Sequence, residues 1–68
     1  MNRYDARGLS CPEPVLIAKR ASDRGEREYE VIVDNRVALE NILRFAKHSG
    51  YRTIVAEDCN EYTISLFR

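Results

Sequence analysis

Three side chains in this 68-residue sequence have a thiol or imidazole that can act chemically near neutral pH: Cys11, His48 and Cys59. Cys11 stands out by its neighbours, Gly8-Leu9-Ser10-Cys11-Pro12-Glu13-Pro14. Two prolines at this spacing read as the first turn of a helix. Backbone N–H groups there have no intrahelical acceptor, so their loss costs little. Cys11 then falls at or next to the N-cap. A helix N-terminus carries about half a positive charge and points free N–H groups outward, which favours a thiolate. Gly8 gives the backbone freedom to reach positive φ on the way from strand to helix. Arg7 adds a cation close in sequence. Asp5 would oppose a thiolate if it faced one, and is expected to accept N–H bonds of the loop instead. The chemistry this supports is that of a nucleophilic thiol. The competing reading is a small buried cysteine at a helix start.

The remaining reactive groups do not join Cys11. His48 lies at the far end of a helix running from Arg36 to about Ser49, roughly 20 Å at 1.5 Å per residue. A general base must come within about 3 Å of its target, so a Cys–His hydrolase is disfavoured, and His48 reads as solvated near a helix C-terminus. Cys11, Cys59 and His48 share no metal-ligand spacing such as Cys-x-x-Cys. Position 14 is proline, so the thioredoxin-type motif is missing as well. Asn35 reads as an N-cap. Arg36 follows it in the first turn, where a cation opposes the helix dipole. It is either simply solvated or joins Arg7 in attracting an anionic sulfur or an acidic partner loop.

Six elements must hold these residues. Tyr4 to Ala6 reads as an edge strand. Pro12 to about Ser22 reads as a helix whose inward face is Val15, Leu16, Ala18, the Lys19 stem and Ala21. Tyr29 to Val33 is a β-rich run. Ala38, Leu39, Ile42, Phe45 and Ala46 recur at helical spacing, and Gly50 is the stop signal. Thr53 to Glu57 and Tyr62 to Phe67 read as strands, joined through the short hairpin connection Asp58-Cys59-Asn60-Glu61. Tyr62, Ile64 and Leu66 share one face. Helix-linked strands should be parallel, with the last returning antiparallel. Two helices can cover one face of such a sheet, which predicts a two-layer α/β sandwich. Both helix N-termini, near Cys11 and Asn35, then fall at the edge where ligands sit in open α/β sheets.

Length and composition bound the rest. One domain over residues 1–68 is the most the chain can hold, and its stability must come from one well-filled core. Eleven Lys and Arg balance 11 Asp and Glu, so the formal net charge is zero. A general nucleic-acid binder would show a basic excess. Two cysteines are too few for a secreted disulfide framework, the opening residues contain no apolar signal-peptide core, and no run approaches a membrane span. A reducing cytoplasm with both thiols free is the expectation.

The stretch Asp5-Ala6-Arg7-Gly8-Leu9-Ser10-Cys11-Pro12-Glu13-Pro14 resembles the signature of the TusA, or SirA-like, sulfur-carrier family: an Asp, then Gly-Leu, then Cys-Pro-x-Pro opening the first helix. The resemblance extends over essentially the whole chain. Val33-Asp34-Asn35, followed by a helix with Phe45-Ala46, looks most like the YedF branch. Members of that branch often carry a second, DsrE-like domain; here it is expected to be absent or encoded elsewhere.

The family resemblance implies a mixed sheet of order 1-2-4-3, with the open sheet face and the Cys11 edge docking partner proteins. It implies that Cys11 accepts sulfane sulfur as a persulfide and relays it, with Asp5, Arg7, Gly8, Leu9, Pro12, Glu13 and Pro14 as the supporting motif. Asn35 and Arg36 are possible contacts to an anion or a partner. The donor would be a cysteine desulfurase or a rhodanese-like protein, and the acceptor a downstream protein such as a DsrE-like one. Apart from the transient persulfide no cofactor is expected, and neither a membrane nor a nucleic acid is an expected partner. In that strand order the first and third strands lie about 14 Å apart at roughly 4.8 Å per spacing. A disulfide needs Cα atoms within about 7 Å, so Cys59 reads as an incidental loop thiol. Two other functions compete with the carrier: a nucleic-acid-binding module, since a similar architecture occurs in the C-terminal domain of a bacterial translation initiation factor, and a redox or regulatory module using Cys11 without sulfur transfer.

Overall fold

The computed structural model describes residues 2–68. Six elements follow in the expected order: β1 (Asn2–Asp5), α1 (Glu13–Asp23), β2 (Glu28–Val33), α2 (Arg36–His48), β3 (Arg52–Asp58) and β4 (Glu61–Phe67). The sheet order is β1-β2-β4-β3. β1 runs parallel to β2, and β4 is antiparallel to both β2 and β3. The three helix-linked strands therefore point the same way, and their C-terminal ends share one edge.

Alternation decides which face is covered. Tyr29, Val31 and Val33 of β2 and Tyr62, Ile64 and Leu66 of β4 are buried, while the residues between them are half-buried or exposed. The register sets Val31 opposite Ile64 and Tyr29 opposite Leu66, so the two alternating sets form one apolar surface. Ala18 and Ala21 of α1, and Ala38, Leu39, Ile42 and Ala46 of α2, complete the same core. Small residues on the helix faces let both helices sit close to the sheet.

The inward face of α1 differs from the expected one. Pro14, Ala18 and Ala21 are buried, and Val15 and Ile17 pack against the core. Lys19 is exposed and pairs with Asp23 at 3.0 Å, and Leu16 is only half-buried. The stripe i, i+4, i+7 centres on Pro14. At 100° per residue, Leu16 falls roughly 200° and Lys19 roughly 140° around the helix from it. Pro14 is thus both a helix-start residue and a core residue.

α2 is bounded as its sequence signals. The Asn35 side chain accepts from the Ala38 N–H at 2.8 Å, a side-chain N-cap. At the other end Tyr51 N–H donates to Ala46 carbonyl at 2.9 Å around Gly50, whose φ is +78°. That left-handed turn satisfies the last carbonyls and is the conformation glycine adopts without cost. The β3–β4 connection is a two-residue turn, Cys59-Asn60, with φ of 51° and 63°. Two successive positive φ values match the hairpin turn whose twist suits the flanking strands.

The end of the molecule away from the strand C-termini is tied by tyrosines. Tyr29 packs edge-on against Tyr4 and Tyr51, with ring centroids 6.1 and 5.4 Å apart. Its buried hydroxyl donates to the Ala18 carbonyl at 3.0 Å, and burial pushes that phenol well above its ordinary range. Among the described residues no helix is long and apolar enough to cross a membrane.

Candidate functional site

The site is built where β1 hands the chain to α1. Ala6 is buried, its N–H donating to the Ile32 carbonyl at 2.8 Å, so β1 pairing persists one residue past the strand. Gly8 then takes φ +78°. Its N–H donates to the Asp34 carboxylate at 2.8 Å, which ties this loop to the β2–α2 connection. The expected need for glycine at position 8 is met here. The sequence shows Asp34 only within Val33-Asp34-Asn35 and not this contact, because its partner is a backbone group 26 residues away. Gly8→Ala should cost about 1–2 kcal/mol, the penalty of an L-residue in left-handed backbone. A Cβ there would meet nothing within 4 Å, so the cost is conformational and the fold survives. A shift of the urea midpoint with an unchanged slope is the expected reading. No shift would mean that the loop does not need this conformation.

Pro12 is the N-cap of α1, with φ −99° and ψ 15°, and Glu13 is its first helical residue. The helix therefore begins one residue later than the sequence suggested, because Pro12 has non-helical backbone. Cys11 precedes the cap and is exposed; both cysteines are free thiols. The buried-cysteine reading of position 11 does not hold. A groove of about 390 Å³ opens beside it, between the loop Gly8–Pro12, the start of α1 and the first turns of α2. Leu9, Val15 and Val37 give it apolar walls, and Leu9 and Val37 are themselves 37% and 61% exposed.

Asn41 contributes the polar contact to the thiol, its Nδ2 lying 3.8 Å from Cys11 Sγ. Sequence reading passed over Asn41. The available signal was its place three residues after the inward-facing Ala38, which puts it on the α2 face that borders the groove. Asn35 also lines the groove, while serving as the helix cap.

The two arginines expected near the sulfur have other partners. Arg7 makes a two-point contact with Asp5, Nε to Oδ1 at 2.9 Å and Nη2 to Oδ2 at 2.7 Å, and its Nη1 reaches Glu61 at 3.2 Å. Arg36 faces Glu40 at 3.8 Å. Arg7 is thus held between two carboxylates, while Arg36, its side chain 71% exposed, is the solvated cation of the two readings. Glu61, 54 residues away in sequence, is the partner that neighbourhood along the chain did not reveal. Asp5 behaves as expected, accepting the Arg7 backbone N–H at 3.0 Å. His48 is exposed in the last turn of α2, and Cys59 is exposed in the hairpin.

The Arg7 side-chain hydrogen bond, reinforced by the Arg7 N–H, holds the Asp5 carboxyl down to about 2. A carboxylate lowered on folding stabilises the fold above its unfolded value of about 3.9, and that contribution is lost as pH falls toward 2. Asp5→Asn should therefore flatten the acid limb of the stability curve between those values. The check is urea unfolding at several acidic pH values, and parallel limbs for the two proteins would refute the linkage.

Comparison with known proteins adds three findings. The family described as sulfurtransferase TusA matches residues 2–67. A candidate sulfur carrier protein of Methanocaldococcus jannaschii is 46% identical over 61 residues, covering 85% of this chain and 80% of that protein. The crystal structure of a SirA-like protein from Desulfitobacterium hafniense superposes with a TM-score of 0.86 at 31% identity, over 97% of this chain and 95% of the other.

Proposed function

Because this chain belongs to the TusA sulfurtransferase family, we propose that it is a cytoplasmic sulfur carrier, with Cys11 holding the sulfur as a persulfide. The observation that carries this reading is the placement of Cys11: exposed, in a turn held by Gly8 and Pro12, at an open groove rather than in a closed pocket. A relay thiol has to meet two different proteins in turn, so its sulfur must stand at the surface.

The chemistry is an exchange in two matching halves. In uptake, the Cys11 thiolate attacks the terminal sulfur of a donor persulfide. The donor S–S bond breaks, its electron pair stays on the donor cysteine as a thiolate, and a new S–S bond forms at Cys11 Sγ. In delivery, an acceptor nucleophile attacks the outer sulfur and the electron pair of that S–S bond returns to Sγ. The number of S–S bonds is conserved in each exchange, so a thiol acceptor requires neither reductant nor cofactor. A cysteine desulfurase or rhodanese-like protein fits the donor role, and a thiol-bearing protein, such as a DsrE-like one, fits the acceptor.

Docking would use the Cys11 edge together with the open sheet face. On that face Ile54 is 62% exposed. Ile54 stands opposite Ser65, and Ile32 opposite Thr63, so both isoleucines point away from the helices. Zero net charge suits a protein partner better than a nucleic acid.

The test is whole-protein mass spectrometry after incubation with a cysteine desulfurase and cysteine. A gain of one sulfur atom, mapped to the peptide bearing Cys11, is expected. No gain, or a gain confined to Cys59, overturns the proposal, and salt-dependent RNA binding without sulfur uptake would put the nucleic-acid module in its place.

A further inference from the structure

We infer that Asn41 is a second functional residue of the transfer, a hydrogen-bond donor to Cys11 Sγ as sulfur departs, and that Arg44 positions it; the inference rests on the carrier reading above. The Nδ2–Sγ separation is 3.8 Å across the groove, between residues 30 apart in sequence. A carboxamide has two opposite ends, and its oxygen would repel an anionic sulfur. Arg44, one turn further along α2, decides which end faces the thiol: its Nη1 donates to Asn41 Oδ1 at 3.1 Å. A guanidinium has donors and no acceptor. The amide oxygen must therefore face Arg44, and the NH₂ group is left toward Sγ. The fold brings the amide there because Val37, Ala38 and Asn41 lie on the part of α2 that lines the groove with Cys11. Of the other cations considered for this role, Arg7 is held by Asp5 and Glu61 and Arg36 is largely solvated beside Glu40, and neither lines the groove.

The contact acts in the step where charge changes. In the persulfide, Sγ is an uncharged divalent sulfur and a poor acceptor. When a nucleophile takes the outer sulfur, the S–S electron pair moves onto Sγ, which becomes a thiolate. A donor already aimed at Sγ strengthens its bond as that charge develops. It thus stabilises the transition state more than the loaded state.

Cyanide reads this step without a docking partner. Its carbon attacks the outer sulfur, thiocyanate leaves, and Sγ retains the electron pair as thiolate. The protein would carry Cys59→Asn, leaving Cys11 as its one thiol, and would be loaded with inorganic polysulfide. Asn41→Ala should slow thiocyanate release about five- to tenfold, the scale of one ordinary hydrogen bond. Asn41→Asp, of the same shape, should be at least as slow, and it provides the reading if the alanine variant folds poorly. Arg44→Ala should slow release by a smaller factor in the Asn41 protein and have no further effect once Asn41 is alanine.

Release from Asn41→Ala and Asn41→Asp at the unsubstituted rate overturns the inference. An equal effect of Arg44→Ala in both backgrounds also overturns it, since Arg44 would then act by its charge alone. Because polysulfide loads the thiol chemically, failure of a desulfurase to load Cys11 sinks the carrier reading while the effect of Asn41 on cyanide release is still measured.

Discussion

Cys11→Ser should take up no sulfur from a desulfurase and should unfold at the same urea concentration as the unsubstituted protein. Both halves follow from where the thiol stands. Sulfur uptake needs a nucleophile that forms and later releases an S–S bond, and a hydroxyl does neither, so the expected loss is complete. Stability is spared because Cys11 is exposed, precedes the helix cap and lies outside the core cluster. Substitutions at such positions usually stay within about 0.5 kcal/mol. Cys59→Asn is the matched control. Asparagine tolerates the left-handed backbone at φ 51°, and uptake should remain complete. Uptake that survives in Cys11→Ser and vanishes in Cys59→Asn would move the carrier site to the hairpin.

The parts legible in the sequence are those governed by local rules. Strand alternation in Tyr62, Ile64 and Leu66, the Asn35 cap, the glycine stop at position 50 and a hairpin turn within Asp58-Cys59-Asn60-Glu61 each depend on neighbours within a few residues. Each is found as read. The strand order is different in kind. It came with the family resemblance, since alternation alone does not say which strands pair. The structure supplies a physical reason: β4, whose alternating apolar residues are all buried, takes a central place. The polar Asn2-Arg3-Tyr4-Asp5 strand and the exposed β3 take the edges, where charged side chains discourage pairing with other chains.

Inference failed where the answer lay across the fold. Its apolar side chain alone would turn Leu16 inward, but the direction of α1 is set by Pro14, Ala18 and Ala21. Arg7 reads as a cation close to the sulfur because it lies four residues before Cys11 in sequence, whereas Glu61 arrives beside it from β4 and Asp5 grips it from β1. Asn41 is the converse case. An asparagine in a helix carries no chemical signal of its own, and its meaning depends on α2 bringing it to Cys11 and on Arg44 turning its amide.

Ile64→Ala should remove a large share of the stability of the domain. Ile64 is fully buried on the central strand β4, opposite Val31 on one side and Val55 on the other. Truncating a core isoleucine to alanine costs about 2–5 kcal/mol, because the lost contacts and the remaining cavity add. At roughly 0.05–0.15 kcal/mol per residue, a domain of this length has about 3–10 kcal/mol in total, so one substitution removes a large share. Ile54→Ala deletes the same atoms on the next strand, but its side chain is 62% exposed and points from the open face. Its expected cost is within about 0.5 kcal/mol. Urea unfolding of the two variants side by side checks the contrast, and equal losses would show that the open face is covered in solution. The link to function is then direct. Cys11 is placed by its loop and by α1 and α2, which pack on the face that Ile64 fills. Sulfur uptake by Ile64→Ala should fall with its folded fraction, while Ile54→Ala keeps its uptake from small-molecule polysulfide and loses it only toward a protein donor that docks on the open face.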